Sequence, residues 1–231
     1  MIEVLFWPTP NGHKITMFLE EAGVPYSLTA VDIGAGDQFK PAFLQKSPNN
    51  RIPAIIDHSP ADGGEPLSVF ESGAILVYLA EKTQQFLPAA GRDRKTVLEW
   101  LFWQVGGVGP MLGQNHHFNH YAPIQVPYAQ ERYTKETARL YGVLDRRLEN
   151  HEFVAGSYSI ADMAIYPWIV PHERQKQNLD DFKNVKRWFN SIASRPATIA
   201  AYEKGSPIRS ATEYTEEQKR LLFGYSTAPK Q

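Results

Sequence analysis

The first 32 residues commit the chain to an α/β beginning. Residues 2–7 (IEVLFW) are rich in β-branched and aromatic types and read as a short strand. Pro8, Thr9, Pro10, Asn11 and Gly12 then form a turn cluster, and residues 13–22 place Ile15, Phe18, Leu19 and Ala22 at helical spacing. Gly23 stands where a helix C-terminal cap belongs, Pro25 forbids continuation, and residues 26–32 supply a second strand. A strand, a loop, a helix and a strand within about 30 residues is the smallest βαβ unit. A chain that begins in this way must build a sheet that includes a parallel pair.

The next stretch completes the sheet. Gly34, Gly36 and Asp37 mark a loop, and residues 40–46 a short helix. Residues 52–56 (IPAII) read as a strand, residues 62–65 (DGGE) as a turn, and residues 66–70 as a fourth strand with Pro66 confined to its first position. Residues 72–82 are helical, with Ile75, Leu76 and Leu79 apolar. The connection between the last two strands is too short for a crossover helix, so the expected sheet is mixed.

Strand signals then disappear. Residues 84–92 (QQFLPAAGR) read as a linker, and helical patterns run over about 93–116 and 128–150. Gly106, Gly107, Gly109 and Pro110 are expected to kink or break the first. Tyr133, Thr137, Leu140, Tyr141, Leu144 and Leu148 mark one face of the second. Ser159 and Asp162 fit a capping box ahead of an apolar helix, and residues 183–194 form another helix that Arg195-Pro196 ends. The expected organisation is an α/β domain over 1–83, a linker over 84–92, an all-helical domain over 93–205, and a weakly ordered or surface-wrapping tail over 206–231.

Composition removes several classes of function. The 231 residues contain no cysteine, which excludes a disulfide scaffold, a thiolate metal site and a sulfur nucleophile belonging to this chain. Formal charge is −1, so the global field favours neither nucleic acid nor an anionic membrane. No apolar run is long enough for a membrane span, and the N-terminal residues lack the basic and apolar regions of a signal peptide, so a cytoplasmic protein is expected.

Chemistry can be sought at four places. The turn at Thr9 and Asn11 feeds a helix N-terminus, where a hydroxyl, an amide and free backbone N–H groups suit a ligand thiolate. Helix capping alone is the competing explanation, and the two are compatible. At Ile52-Pro53 a cis bond would turn the Ile52 backbone toward a peptide-like ligand, but only about 5–6% of X-Pro bonds are cis, so a trans bond is the ordinary case. Glu71-Ser72, at a strand-to-helix junction, could clamp an amino-acid zwitterion, the carboxylate taking the ammonium and the helix N–H groups the carboxylate; simple capping by Ser72 explains the same residues. His116, His117 and His120 resemble metal ligands, but no Cys, Asp or Glu nearby completes a set, and local packing explains them better. Lys14 and Arg132 are ordinary surface charges by composition, although Arg132 could neutralise a ligand carboxylate.

Three blocks carry a specific likeness: residues 8–15 (PTPNGHKI), 47–55 (SPNNRIPAI) and 71–75 (ESGAI). They resemble glutathione transferases of the Nu class, and more narrowly the bacterial glutathione-dependent disulfide-bond oxidoreductases akin to a yeast nitrogen regulator. Residues 100–107 (WLFWQVGG) and 113–118 (GQNHHF) extend the likeness, which covers essentially residues 1–205. The resemblance implies the two-domain glutathione transferase fold, a thioredoxin-like βαβ-ββα domain followed by an all-helical one, assembled as a homodimer. It implies that Pro53 is cis and that the Ile52 backbone pairs with the cysteinyl part of glutathione. Glu71 and Ser72 would hold the γ-glutamyl end with help from Gln38, and Arg51 would lie near the glycyl end. Thr9 and Asn11 would face the sulfur, Arg132 would contact a second glutathione or the oxidised dimer, and Lys14 would have a lesser role.

One departure is informative. Other glutathione transferases activate the thiol with Tyr, Ser or Cys near the N-terminus, and this chain has none of these before Tyr26. The expected activity is therefore disulfide reduction by thiol–disulfide exchange through bound glutathione, reduced and oxidised forms serving as co-substrates and small disulfides as partners. Conjugation of electrophiles or reduction of organic hydroperoxides is the first rival. A non-enzymatic regulatory role is the second, disfavoured because the chain starts directly at its first strand without an Asn-rich arm.

Overall fold

The computed structural model describes residues 1–208 and 214–224. Strand β1 (Ile2–Phe6) leads to helix α1 (Pro10–Ala22), strand β2 (Tyr26–Ala30), a 3-10 turn at Asp37–Phe39 and the short helix α2 (Pro41–Leu44). Strands β3 (Ala54–Asp57) and β4 (Leu67–Phe70) and helix α3 (Ser72–Thr83) follow. The helices thereafter are α4 (Gly91–Trp103), α5 (Gly109–His116), α6 (Pro127–Leu148), α7 (Ile160–Ile169), α8 (Lys183–Ala193), α9 (Pro196–Gly205) and α10 (Glu216–Phe223). The described chain divides into two compact units, Met1–Ile75 with the segment from Ala200 onward, and Leu76–Ile199. The division runs through α3 and α9 and not through residues 84–92.

In the first unit the sheet order is β2-β1-β3-β4, with β1 parallel to β2 and the other two pairs antiparallel. The mixed sheet expected from the short β3–β4 connection is therefore present. Central β1 buries Ile2, Val4, Leu5 and Phe6, and Leu5 packs with Val31, Phe43 and Ala54. Helix α1 ends as its glycine demands: Gly23 adopts φ 65°, a left-handed conformation open to a residue without Cβ, and its N–H returns to Glu20. Helix α10 lies within residues expected to form a weakly ordered tail. It opens on a capping box between Thr215 and Gln218, a local start signal inside an otherwise polar stretch.

The second unit is all helical among the described residues. The glycine cluster after α4 does not break the helical path. Gln104–Val108 winds as a π-helix and α5 continues from Gly109. Pro110 has no N–H to give to the regular ladder, and the wider turn absorbs that loss. A Cβ on Gly109 would lie 2.9 Å from the Gln104 side-chain amide, so a larger residue there would displace that amide. The Ser159–Asp162 capping box is present, and its carboxylate also accepts from Val154 N–H at 3.0 Å and Trp188 Nε1–H at 2.9 Å. Asn115 donates to Thr137 Oγ1 and to the Gln175 carbonyl, while Tyr141 donates to Gln175 Oε1, so a buried polar set is tied together inside this unit. Arg195-Pro196 ends α8 and also opens α9, since proline is well placed in a first helical turn. No helix among the described residues is long and apolar enough to cross a membrane.

Candidate functional site

Nine of the ten residues that the resemblance assigns to glutathione lie in the first unit, and β1, α1, β3 and the β4–α3 junction position most of them. Helix α1 starts three residues earlier than its apolar periodicity suggests, at Pro10, so Asn11 belongs to the first helical turn. Thr9 is the N-cap, with extended backbone and a hydroxyl oxygen accepting from Gly12 N–H at 3.3 Å. Capping therefore occupies the Thr9 acceptor and leaves its hydroxyl hydrogen to be aimed elsewhere. Gly12 is obligatory: a Cβ there would stand 2.3 Å from the Trp7 carbonyl oxygen.

The Ile52-Pro53 bond is cis, against the ordinary expectation for X-Pro and in agreement with the resemblance. Pro53 is buried, Ile52 is half-buried against the Leu5 cluster, and Arg51 is exposed, with its carbonyl accepting from Ser47 Oγ at 2.8 Å. Glu71 has φ 67°, an uncommon conformation for a residue with a side chain, and its carboxylate is exposed just before the first turn of α3. Such an outlier at a strand-to-helix junction points to function. Asn49 donates to Glu71 Oε1 at 3.2 Å and fixes the carboxylate's direction. In the sequence Asn49 stands out only as part of the block over residues 47–55. Its role depends on a partner 22 positions away, which no local pattern reveals.

Ser72 is half-buried, and Lys14 donates to its hydroxyl oxygen across 3.1 Å. Lys14 is not the surface charge its composition class suggests: it is 2% exposed, and burial lowers its ammonium to about 7 while Glu71 pulls it back upward. Gln38 is also buried, with Nε2 donating to the Ile33 carbonyl at 3.1 Å and Oε1 left without a hydrogen-bond partner. A buried acceptor in that state fits a site that a polar ligand completes. His13, beside this set, is held neutral by burial, which lowers it to about 4.

Arg132 belongs to the other unit. It is exposed on α6, in a groove of about 360 Å³ with Tyr128, Glu131, Lys135, Glu136 and Arg139. The histidines of this stretch are packing residues: His116, the last of α5, stacks on Trp168 with ring centroids 6.4 Å apart, and His120, in the π-helical turn His117–Tyr121, bonds the Arg174 carbonyl through Nε2 at 2.6 Å.

A thioredoxin-like sheet, a helix N-terminus carrying two polar side chains, a cis-proline and a carboxylate–hydroxyl pair together define a class. The chain belongs to the glutathione S-transferase family, whose N-terminal domain matches residues 2–81 and whose C-terminal domain matches residues 121–196. Within it, the chain is 63% identical over 205 residues to the disulfide-bond oxidoreductase YfcG of Escherichia coli, an alignment covering 88% of this chain and 95% of that protein. It is 44% identical over 204 residues to the disulfide-bond oxidoreductase YghU of the same organism, covering 82% and 69%. A Pseudomonas fluorescens family member solved with two glutathione bound matches with TM-score 0.82 and 42% identity over 87% of this chain and 92% of that one. A Pseudomonas putida glutathione transferase with one glutathione disulfide per subunit matches with TM-score 0.83 and 41% identity over 87% and 90%.

Proposed function

We propose that the protein reduces small disulfides by thiol–disulfide exchange through bound glutathione. The observation that carries this reading is a helix N-terminus bearing two polar side chains, Thr9 and Asn11, in a chain without cysteine, which suits a thiolate brought by the ligand. The names of the two Escherichia coli relatives support it. Glutathione is the co-substrate. Glu71 and Ser72 are suited to its γ-glutamyl zwitterion, Gln38 to a neighbouring polar group, Ile52 and cis-Pro53 to its cysteinyl backbone and Arg51 to its glycyl carboxylate.

In the first step a glutathione thiolate attacks one sulfur of the substrate disulfide, forming a mixed disulfide and expelling the other half as a thiolate. A second glutathione thiolate attacks the glutathione sulfur of that mixed disulfide, giving glutathione disulfide and releasing the remaining substrate thiolate. Two protons, lost when the two glutathione thiols ionise, end on the two product thiols. The chain's part is positional and electrostatic: donors and the positive end of α1 stabilise the sulfur anion where it forms. Arg132, exposed on α6, is suited to the carboxylate of a second glutathione.

A homodimer also fits. Leu67 and Phe70 on edge strand β4 are 43% and 37% exposed and Phe102 on α4 is 68% exposed, apolar surface of a kind that subunit association covers. Light scattering on purified protein checks this. A cytoplasmic setting suits the chemistry, because glutathione is kept reduced there.

The deciding experiment compares steady-state turnover of a small dialkyl disulfide, cumene hydroperoxide and an aromatic halide, each with glutathione. The disulfide is expected to be the fastest. If it is the slowest of the three, the chain is a transferase or peroxidase and the exchange reading fails.

A further inference from the structure

We propose that Lys14 is a positioning residue for the γ-glutamyl end of glutathione, acting through Ser72 by fixing which way the serine hydroxyl donates. The inference rests on the reading of Glu71 and Ser72 as the γ-glutamyl clamp. Lys14 is the fifth residue of α1, and a lysine so fully enclosed is rare without a specific partner. Its nitrogen lies 3.1 Å from Ser72 Oγ. An ammonium has donors and no lone pair, so in this bond the serine oxygen must accept. The serine's own hydrogen is therefore not spent on Lys14 and can be given to an α-carboxylate received at the N-terminus of α3. The first turn of α3 holds no acidic residue, and the carboxylate just before it, Glu71, already accepts from Asn49.

The same arrangement links binding to protonation. Glu71, at the β4–α3 junction, is a charge acting on Lys14, and Ser72 on α3 is a hydrogen-bonded neighbour. Burial brings the ammonium down to about 7, so the larger part of free protein holds Lys14 neutral at pH 7.5. A ligand carboxylate set on Ser72 adds negative charge nearby and favours the ammonium. Binding then takes up protons, and affinity falls as pH rises above 7.

The test uses S-methylglutathione, which has no titrating thiol, and an analogue with a γ-aminobutyryl group in place of γ-glutamyl, which lacks the α-carboxylate. Calorimetry of the unaltered protein at pH 7.5 in two buffers of different ionisation enthalpy should show proton uptake with the first ligand and none with the second. Lys14→Met, which keeps the packing volume, should weaken S-methylglutathione about tenfold and leave the analogue unaffected. It should do so without lowering the melting temperature, because it removes a buried charge. Ser72→Ala should weaken binding to a similar degree, and the double variant should bind no worse than Ser72→Ala alone. Equal losses for both ligands, or additive losses in the double variant, overturn the inference. If Lys14→Met does not fold, Ser72→Ala decides: S-methylglutathione binding as tight as in the unaltered protein overturns the inference. If removing the α-carboxylate does not weaken binding to unaltered protein, the γ-glutamyl clamp reading has failed, and the inference fails with it.

Discussion

His13 of α1 stacks face to face on Tyr202 of α9, with ring centroids 4.0 Å apart and planes 7° from parallel. Phe6 meets the same imidazole edge-on at 5.5 Å, and a Cβ on Gly205 would lie 2.7 Å from its Cε1. The imidazole is walled in by aromatic rings and by a glycine backbone that can approach because it has no side chain. Its Nδ1 has no hydrogen-bond partner. The contact ties the segment after Ala200 to the helix whose N-terminus carries Thr9 and Asn11.

This enclosure makes stability depend on pH in a defined direction. His13 titrates at about 4 when folded against 6.5 when unfolded, so the unfolded chain binds more protons between those values. Stability is then fully present above pH 6.5 and falls as pH drops toward 4, with an upper bound of about 3 kcal/mol from this residue. His116 is lowered in the same way and adds its own slope, so the comparison must be between variants. His13→Phe should keep the stack and flatten part of the decline. Urea midpoints measured from pH 7 to pH 5 check it: parallel curves for parent and variant would contradict the prediction.

Thr9 and Asn11 should matter for rate through the thiolate. Each donor to a sulfur anion is worth about 1.5–3 kcal/mol as a charge-assisted bond, so Thr9→Ala and Asn11→Ala should each lower disulfide turnover about 10- to 100-fold. The acid limb of the pH–rate profile should move upward, toward the value of about 8.5 for a free thiol. Thr9→Ala also removes the cap on Gly12 N–H, a further loss of about 1 kcal/mol in stability, whereas Thr9→Ser keeps both functions. Unchanged rates in both alanine variants would mean that the thiol is activated elsewhere.

Much of the first unit is legible in order. Strand composition, the Gly23 cap and Pro25 mark β1, α1 and β2 with small boundary errors, and the short β3–β4 turn announces a mixed sheet. What local patterns miss are relationships across the fold. Lys14 looks like surface charge until α3 brings Ser72 to it, 58 positions away. Pro196 looks like a stop because proline ends α8, yet the same residue opens α9. The glycines after α4 look like a break, but a π-helix needs only a wider turn to pass them.

Asp162 is the residue on which the start of α7 depends. It is fully buried, and burial pushes its carboxyl up to about 6 although Val154 N–H, Ser159 N–H and Oγ–H, and Trp188 Nε1–H all point at it. Asp162→Ala leaves these donors buried without an acceptor, each orphan costing about 1–3 kcal/mol, so a total loss above 3 kcal/mol is expected. Chemical denaturation measures it. A change below 1 kcal/mol would show that water or a rearranged loop takes the acceptor's place.

Helix α10 should steady the loop that carries Gln38. That loop already bonds itself: Asp37 Oδ2 accepts from Asp32 N–H at 2.9 Å, and Asp32 Oδ1 accepts from Gly34 N–H at 2.8 Å. The helix adds contact where the loop has no side chains. A Cβ on Gly34 would meet Gln218 Nε2 at 2.8 Å, and one on Gly36 would meet Leu221 Cδ2 at 3.1 Å. Leu221 remains 39% exposed, so its burial contributes only about 1 kcal/mol. Deleting residues 209–231 should therefore leave the sheet folded while amide exchange over residues 33–38 speeds up about fivefold. Glutathione affinity should fall by a comparable factor, because Gln38 is presented by the same loop. Leu221→Asp should reproduce both effects in the full chain. Exchange in the loop that is unchanged by either alteration would mean that its own hydrogen bonds suffice and that α10 is a passenger on it.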